Sequence, residues 1–85
     1  MKLRVRVRYF AALREALGAE EWVEVLPGST VAMLRRQLVQ RGGVHARLLA
    51  PDRAVRCAVD QQLALEDTVL VDGVEAAFFP PVTGG

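Results

Sequence analysis

Eighty-five residues, 52% hydrophobic and 25% charged, describe one folded domain with room for a core and exclude a disordered chain. Eleven basic side chains against ten acidic ones leave a formal charge of +1, which argues against a dedicated binder of nucleic acid or of acidic membranes. Cys57 is the only cysteine, so a disulfide framework and a thiolate metal site are both excluded.

The chain opens on strict alternation. Leu3, Val5, Val7 and Tyr9 fall on one face and Lys2, Arg4, Arg6 and Arg8 on the other, the period of a half-buried strand. A basic row of this kind is either a phosphate-binding stripe or, more commonly, a solvated face paired with acids on the next strand. Residues 10–17 favour a short helix with Phe10, Leu13 and Leu17 on one side, closed by Gly18. A second strand comes next over 21–26, with Val23 and Val25 inward. That phase leaves Trp22 and Leu26 outside, which marks either an apolar patch or a wrong phase. Pro27-Gly28 is a turn.

The clearest element is a helix capped by Thr30 or Ser29, with Val31, Leu34 and Leu38 at helical spacing through about Arg41. Gly42-Gly43 ends it. Residues 44–50 can add a helical turn in which Val44, Leu48 and Leu49 cover the core. Val55–Val59 alternates again as a third strand, followed by a polar turn at Asp60-Gln61-Gln62. A short edge strand is expected near Leu63-Ala64-Leu65. Asp72-Gly73 is a turn, and Val74 to Phe79 forms a last strand apolar on both faces, which belongs in mid-sheet. Central first and last strands with the main helix between strands two and three predict an α+β fold. Its form is a mixed sheet with one main helix across it, the β-grasp of ubiquitin-like domains. A ferredoxin-type sandwich is the competing topology. The domain spans 1–79 and the tail 80–85.

Chemistry is scarce along this chain. His45 is the only histidine, with no evident partner, and reads as a surface or loop residue. Cys57 shares a strand face with Val55 and Val59 and reads as a small buried hydrophobe. The carboxylates fall in turns or on exposed faces, and none forms a catalytic pair or a metal site. No cofactor is expected on the chain itself. Lys2 is the only lysine, a bias toward arginine that genome composition and growth temperature both produce. No apolar run approaches a membrane span and no signal-peptide block opens the chain, so a cytoplasmic protein is expected.

There remains the end of the sequence, Phe78-Phe79-Pro80-Pro81-Val82-Thr83-Gly84-Gly85. Two prolines stop the strand and stiffen the residues beyond it. Extended, the segment would reach roughly 15–20 Å from the domain. A terminal carboxylate is a poor acyl donor until ATP converts it to an acyl-adenylate, which can then take sulfur or be joined to an amine. Terminal glycines, lacking Cβ atoms, can thread a narrow channel to a catalytic centre.

These eight residues resemble the terminal signature of the small subunit of molybdopterin synthase, a ubiquitin-like sulfur carrier. The similarity extends back through Asp72-Gly73, Ala58-Val59-Asp60-Gln61, Thr30-Val31 with Leu34, and Tyr9-Phe10-Ala11 with Leu13-Arg14-Glu15. The resemblance implies that a ubiquitin-activating-like adenylyltransferase uses ATP to adenylate Gly85 and that a sulfur relay protein converts it to a thiocarboxylate. The charged carrier would then dock on the large synthase subunit, in a heterotetramer, and donate sulfur to cyclic pyranopterin monophosphate to build the dithiolene of molybdopterin. By the same resemblance Gly85 is the reacting residue and Gly84 gives passage. Pro80, Pro81, Val82 and Thr83 form the inserted arm, and Phe78 and Phe79 divide between core and partner interface. Val74 and the Ala76-Ala77 pair depart from the family's usual residues, on the platform and not on the tail. A thiamine-pathway sulfur carrier, a ubiquitin-like protein modifier and a plain interaction module are the competing readings.

Overall fold

A computed structural model of the chain describes residues 1–80. The elements run β1 (Leu3–Tyr9), α1 (Ala12–Leu17), β2 (Glu20–Val25), α2 (Val31–Val39), α3 (Gly43–Leu49), β3 (Arg56–Val59), β4 (Gln62–Ala64) and β5 (Glu75–Phe79). The five strands form one sheet in the order β2-β1-β5-β3-β4. β1 and β5 are parallel neighbours, and every other pairing is antiparallel. This is the mixed sheet of the β-grasp, and the parallel contact between first and last strands excludes the ferredoxin-type alternative.

Alternation decides which face is covered. Val5, Val7, Tyr9, Val23, Val25, Cys57, Ala76 and Phe78 point from the sheet into a core completed by Leu13, Val31, Leu34, Leu38 and Leu49 from the helices. Burying a leucine of this kind contributes about 1.5–3 kcal/mol. The phase of β2 is therefore as expected, and Trp22 and Leu26 are exposed at 52% and 61%. Trp22 does not stand alone, because the Arg4 guanidinium lies 4.7 Å from its ring.

Thr30 caps α2 by accepting from the Met33 amide at 3.3 Å. The helix stops at Val39, short of Arg41, and α3 is a full element instead of an added turn. Leu49 of α3 is buried and Leu48 packs at the core edge, but Val44 is exposed and covers nothing. The β3–β4 hairpin turns on Asp60 and Gln61, both at positive φ (48° and 69°), as a two-residue turn between right-twisted strands requires. The first helix begins at Ala12, so Phe10 is not on its apolar face. The Phe10 amide instead donates to the Phe78 carbonyl at 3.1 Å, prolonging the sheet.

Arg35 is the feature that sequence reasoning missed. It is only 7% exposed and donates to the carbonyls of Leu49 (2.7 Å), Ala50 (2.6 Å), Arg53 (2.8 Å) and Val55 (3.4 Å), and to Glu66 Oε1 (3.1 Å). One guanidinium thus pins the whole connection from α3 to β3. Its position follows from the helix period, since residue 35 falls on the stripe of Val31, Leu34 and Leu38.

Candidate functional site: the outer sheet face at the end of β5

β5 lies between β1 and β3, so the segment that leaves it emerges from the middle of the sheet. Pro80 is half-buried and outside the strand, and residues 81–85 lie beyond those described. Pro81, Val82, Thr83, Gly84 and Gly85, the expected arm and its expected reacting end, therefore fall outside the described residues. The root of the tail does not.

Phe78 and Phe79 divide as alternation demands. Phe78 is 1% exposed and stacks on Tyr9 with ring centroids 6.4 Å apart. It belongs to the core, and its assignment among partner-contacting residues is corrected accordingly. Phe79 is half-buried on the opposite, uncovered face, across from Arg56 and beside Phe10. Arg8 reaches over Phe10 at 5.1 Å from its ring.

The register places Ala77 between Arg8 of β1 and Ala58 of β3, and Ala58 opposite Leu63 of β4. Ala77 and Ala58 therefore stand side by side on the outer face, in one cross-strand row with Arg8 and Leu63. Leu63 and Leu65 are exposed at 64% and 73%. Ala77, one of the small residues that depart from the family's usual pattern, lies in this row and is 5% exposed. Arg6 and Arg8 are paired with acids of neighbouring strands, as expected of the basic row of β1. Arg6 meets Glu20 at 2.6 Å, and Arg8 meets Glu75 at 3.4 Å and Glu20 at 3.8 Å. Phe10, hidden in the sequence by the helix-forming run after it, was legible as the next outward step of the alternation 4, 6, 8, 10.

Other reactive groups are structural. Cys57 is buried; burial, aided by the charge of Glu66, pushes its thiol up to about 12, so it is no thiolate at neutral pH. It borders a cleft of about 320 Å³ whose walls include Val31, Arg35, Leu65 and Phe78. His45 is not isolated: its Nε2 lies 3.7 Å from Glu21 Oε2 and 3.4 Å from Arg41 Nη1, and its ring is edge-on to Tyr9. The Tyr9 hydroxyl donates to Glu21 at 2.8 Å, and Arg41 donates to the same carboxylate at 2.7 Å. Burial raises the Glu21 carboxyl, but these two bonds and the charges of Arg41 and His45 outweigh it and hold the group below its usual range. Burial, with the bond to Glu21, raises Tyr9 far above a free phenol. The cluster ties β1, β2, the end of α2 and α3 together. Among the described residues no group of three His, Cys, Asp or Glu could hold a metal ion, and no helix is long and apolar enough to cross a membrane.

The profile of the ThiS family matches residues 7–85. The chain belongs to the ThiS family. It is 44% identical over 85 residues to a molybdopterin synthase sulfur carrier subunit of Mycobacterium tuberculosis, covering 98% of this chain and 99% of that one. It is 38% identical over 81 residues to the subunit of the same name from Escherichia coli, covering 95% and 99%. Among solved structures, the HVO 2177 protein of Haloferax volcanii superposes with a TM-score of 0.83 at 27% identity, covering 99% of this chain and 88% of that one.

Proposed function

We propose that this chain is the sulfur carrier subunit of a molybdopterin synthase, with Gly85 as the group that carries sulfur. The observation that supports it best is a whole-chain match to subunits of that name, on a platform whose described residues offer no competing reactive site. The Gly85 carboxylate attacks the α-phosphorus of ATP on an adenylyltransferase and pyrophosphate leaves. A persulfide sulfur on a relay protein then attacks the carbonyl carbon and AMP leaves; a thiol next cleaves the resulting acyl disulfide, forming a disulfide with the relay cysteine and leaving the thiocarboxylate. On the large subunit that sulfur passes to cyclic pyranopterin monophosphate. ATP-dependent activation puts the carrier in the cytoplasm.

The platform's part is docking. Phe79, Phe10 and Leu63 supply the apolar contact, and Arg56 a positive charge at its rim, while Pro80 and Pro81 limit the entropy lost as the arm enters the partner. Reconstitution with the large subunit and cyclic pyranopterin monophosphate tests this reading. Deleting Gly85, or adding one residue after it, should abolish molybdopterin formation with the fold unchanged. Persistent activity in either variant would defeat it, and activity only with thiamine-pathway partners would reassign the carrier to that pathway.

A further inference from the structure

The sheet has two open edges, and they are not alike. β4 spans only Gln62–Ala64. β2 spans six residues, Glu20–Val25, in unbroken register with β1, and it carries no proline, lysine or bulge of the kind that blunts an exposed edge. The Tyr9 amide donates to the Ala19 carbonyl at 3.0 Å, and the antiparallel register carries that pattern on through Val7–Glu21 and Val5–Val23. In such a ladder the alternate residues turn their amides and carbonyls the other way. Those of Glu20, Trp22 and Glu24 therefore point away from β1. Gln37 of α2 donates to one of them, the Glu24 carbonyl, at 2.8 Å. The Glu20 and Trp22 groups and the Glu24 amide have no hydrogen-bond partner among the described residues.

The side chains along this edge indicate what would pair with it. Glu20, Trp22 and Glu24 share the outer face, and β1 already meets them from its side with a strand of alternating arginine and aliphatic residues. Arg4, Arg6 and Arg8 stand opposite Glu24, Trp22 and Glu20. That pairing does not exhaust the acids. Both arginine contacts to Glu20 fall on Oε2, and Glu24 forms no ion pair among the described residues. Trp22 stays 52% exposed with Arg4 over its ring. On the core side of the edge, the exposed Leu26 and Met33 line a cleft of about 190 Å³ together with Arg36, Gln37 and Gln40 of α2. A second copy of the chain fits this edge poorly. Two antiparallel β2 strands paired about Trp22 would set Glu20 against Glu24, and like charges directly opposite destabilise a sheet.

We propose that the free edge of β2 is a docking site for an extended strand of a partner protein, with basic residues at alternate positions and aliphatic ones between them. The added strand bonds the backbone of Glu20 and Trp22 and the Glu24 amide. Its basic side chains lie beside Glu20, Trp22 and Glu24, and one aliphatic side chain enters the cleft at Leu26 and Met33. Neighbouring strands stand about 4.8 Å apart, so the guest lies roughly 15 Å from β5, three strand spacings away, and the face around Phe79 stays open. The chain can thus be held by this edge while its outer face at the tail root is engaged by another protein. The inference does not rest on Gly85 carrying sulfur.

The probe is a peptide with blocked ends, Thr-Lys-Leu-Arg-Val-Lys-Thr, titrated into the full chain. Trp22 is the only tryptophan, so its fluorescence reports on the edge directly. Binding should saturate with a dissociation constant below about 1 mM, and the amides of Glu20, Trp22 and Glu24 should gain protection from hydrogen exchange. N-methylating the central arginine of the peptide removes its bond to the Trp22 carbonyl and should weaken binding about tenfold or more. Glu24→Lys, checked for native circular dichroism, should weaken it about fivefold or more, and a peptide with glutamate in place of its basic residues should not bind. No binding by the basic peptide, equal binding by its N-methylated or acidic form, or protection of the same amides by dimerisation of the chain alone would overturn the inference. Failure of sulfur loading in the enzymatic assay would instead count against the carrier reading alone.

Discussion

Replacing Arg35 with methionine removes the donors that hold the α3–β3 connection while keeping most of the side-chain volume. The magnitude depends on the acceptors left behind. The Leu49 carbonyl, on a residue with no exposed surface, loses a 2.7 Å charged bond, and an unsatisfied buried acceptor costs about 1–3 kcal/mol. Ala50 and Arg53 are half-buried and exposed, so water can replace their bonds and each adds only a few tenths of a kcal/mol. Glu66 is 59% exposed along its side chain, so that ion pair is screened and contributes less than about 1 kcal/mol. Arg35→Met should therefore cost about 2–4 kcal/mol, and Glu66→Gln under about 1 kcal/mol. In a domain of this size the former lowers Tm by roughly 10–25 °C. Urea and thermal unfolding followed by circular dichroism measure both. A neutral Arg35→Met, or a Glu66→Gln as damaging as Arg35→Met, would refute the assignment of the stability to the carbonyl contacts.

The two phenylalanines should separate cleanly. Phe78→Ala should cost about 3–5 kcal/mol in unfolding experiments. Phe79→Ala should leave the fold near wild type and weaken binding to the large subunit about tenfold or more by titration calorimetry. Glu21 carries the pH dependence. Its folded carboxyl titrates below the usual range, so its contribution is complete above the unfolded value and is lost as pH falls through the folded one. Glu21→Gln should flatten the fall in stability as pH drops below about 5, and an unchanged acid limb would contradict the cluster's role. Cys57, with its thiol pushed up to about 12, should react with thiol reagents only as fast as the protein unfolds. Rapid labelling in native buffer would show the burial to be wrong.

Most of the fold was legible because its strands alternate without interruption. Val5-Val7-Tyr9 and Val23-Val25 fix their own inward faces, and the doubly apolar β5 identifies itself as a central strand. Thr30 marks the start of α2 by the chemistry of a cap. The losses lay where one local signal hid another. Phe10 precedes a run of good helix formers, so propensity pulled it out of the sheet to which its amide is bonded. Arg35 sits at a core position but carries a charge, and only the carbonyls of a loop fourteen or more residues away explain its burial. His45 reads as isolated for the same reason, since Glu21 and Tyr9 reach it only through the pairing of β1 with β2 and the return of α3. The outer row was half visible. Ala76-Ala77 stands out in the sequence, but which alanine faces outward depends on the β1–β5 register.

The most direct measurement is the intact mass of the purified chain after incubation with an adenylating enzyme, ATP and a sulfur source. If Gly85 is the carrier group, the mass rises by the exchange of one oxygen for sulfur, and fragmentation places the change on Gly85. No gain while the same enzyme and sulfur source load an established carrier, or a gain located on Cys57, would contradict it.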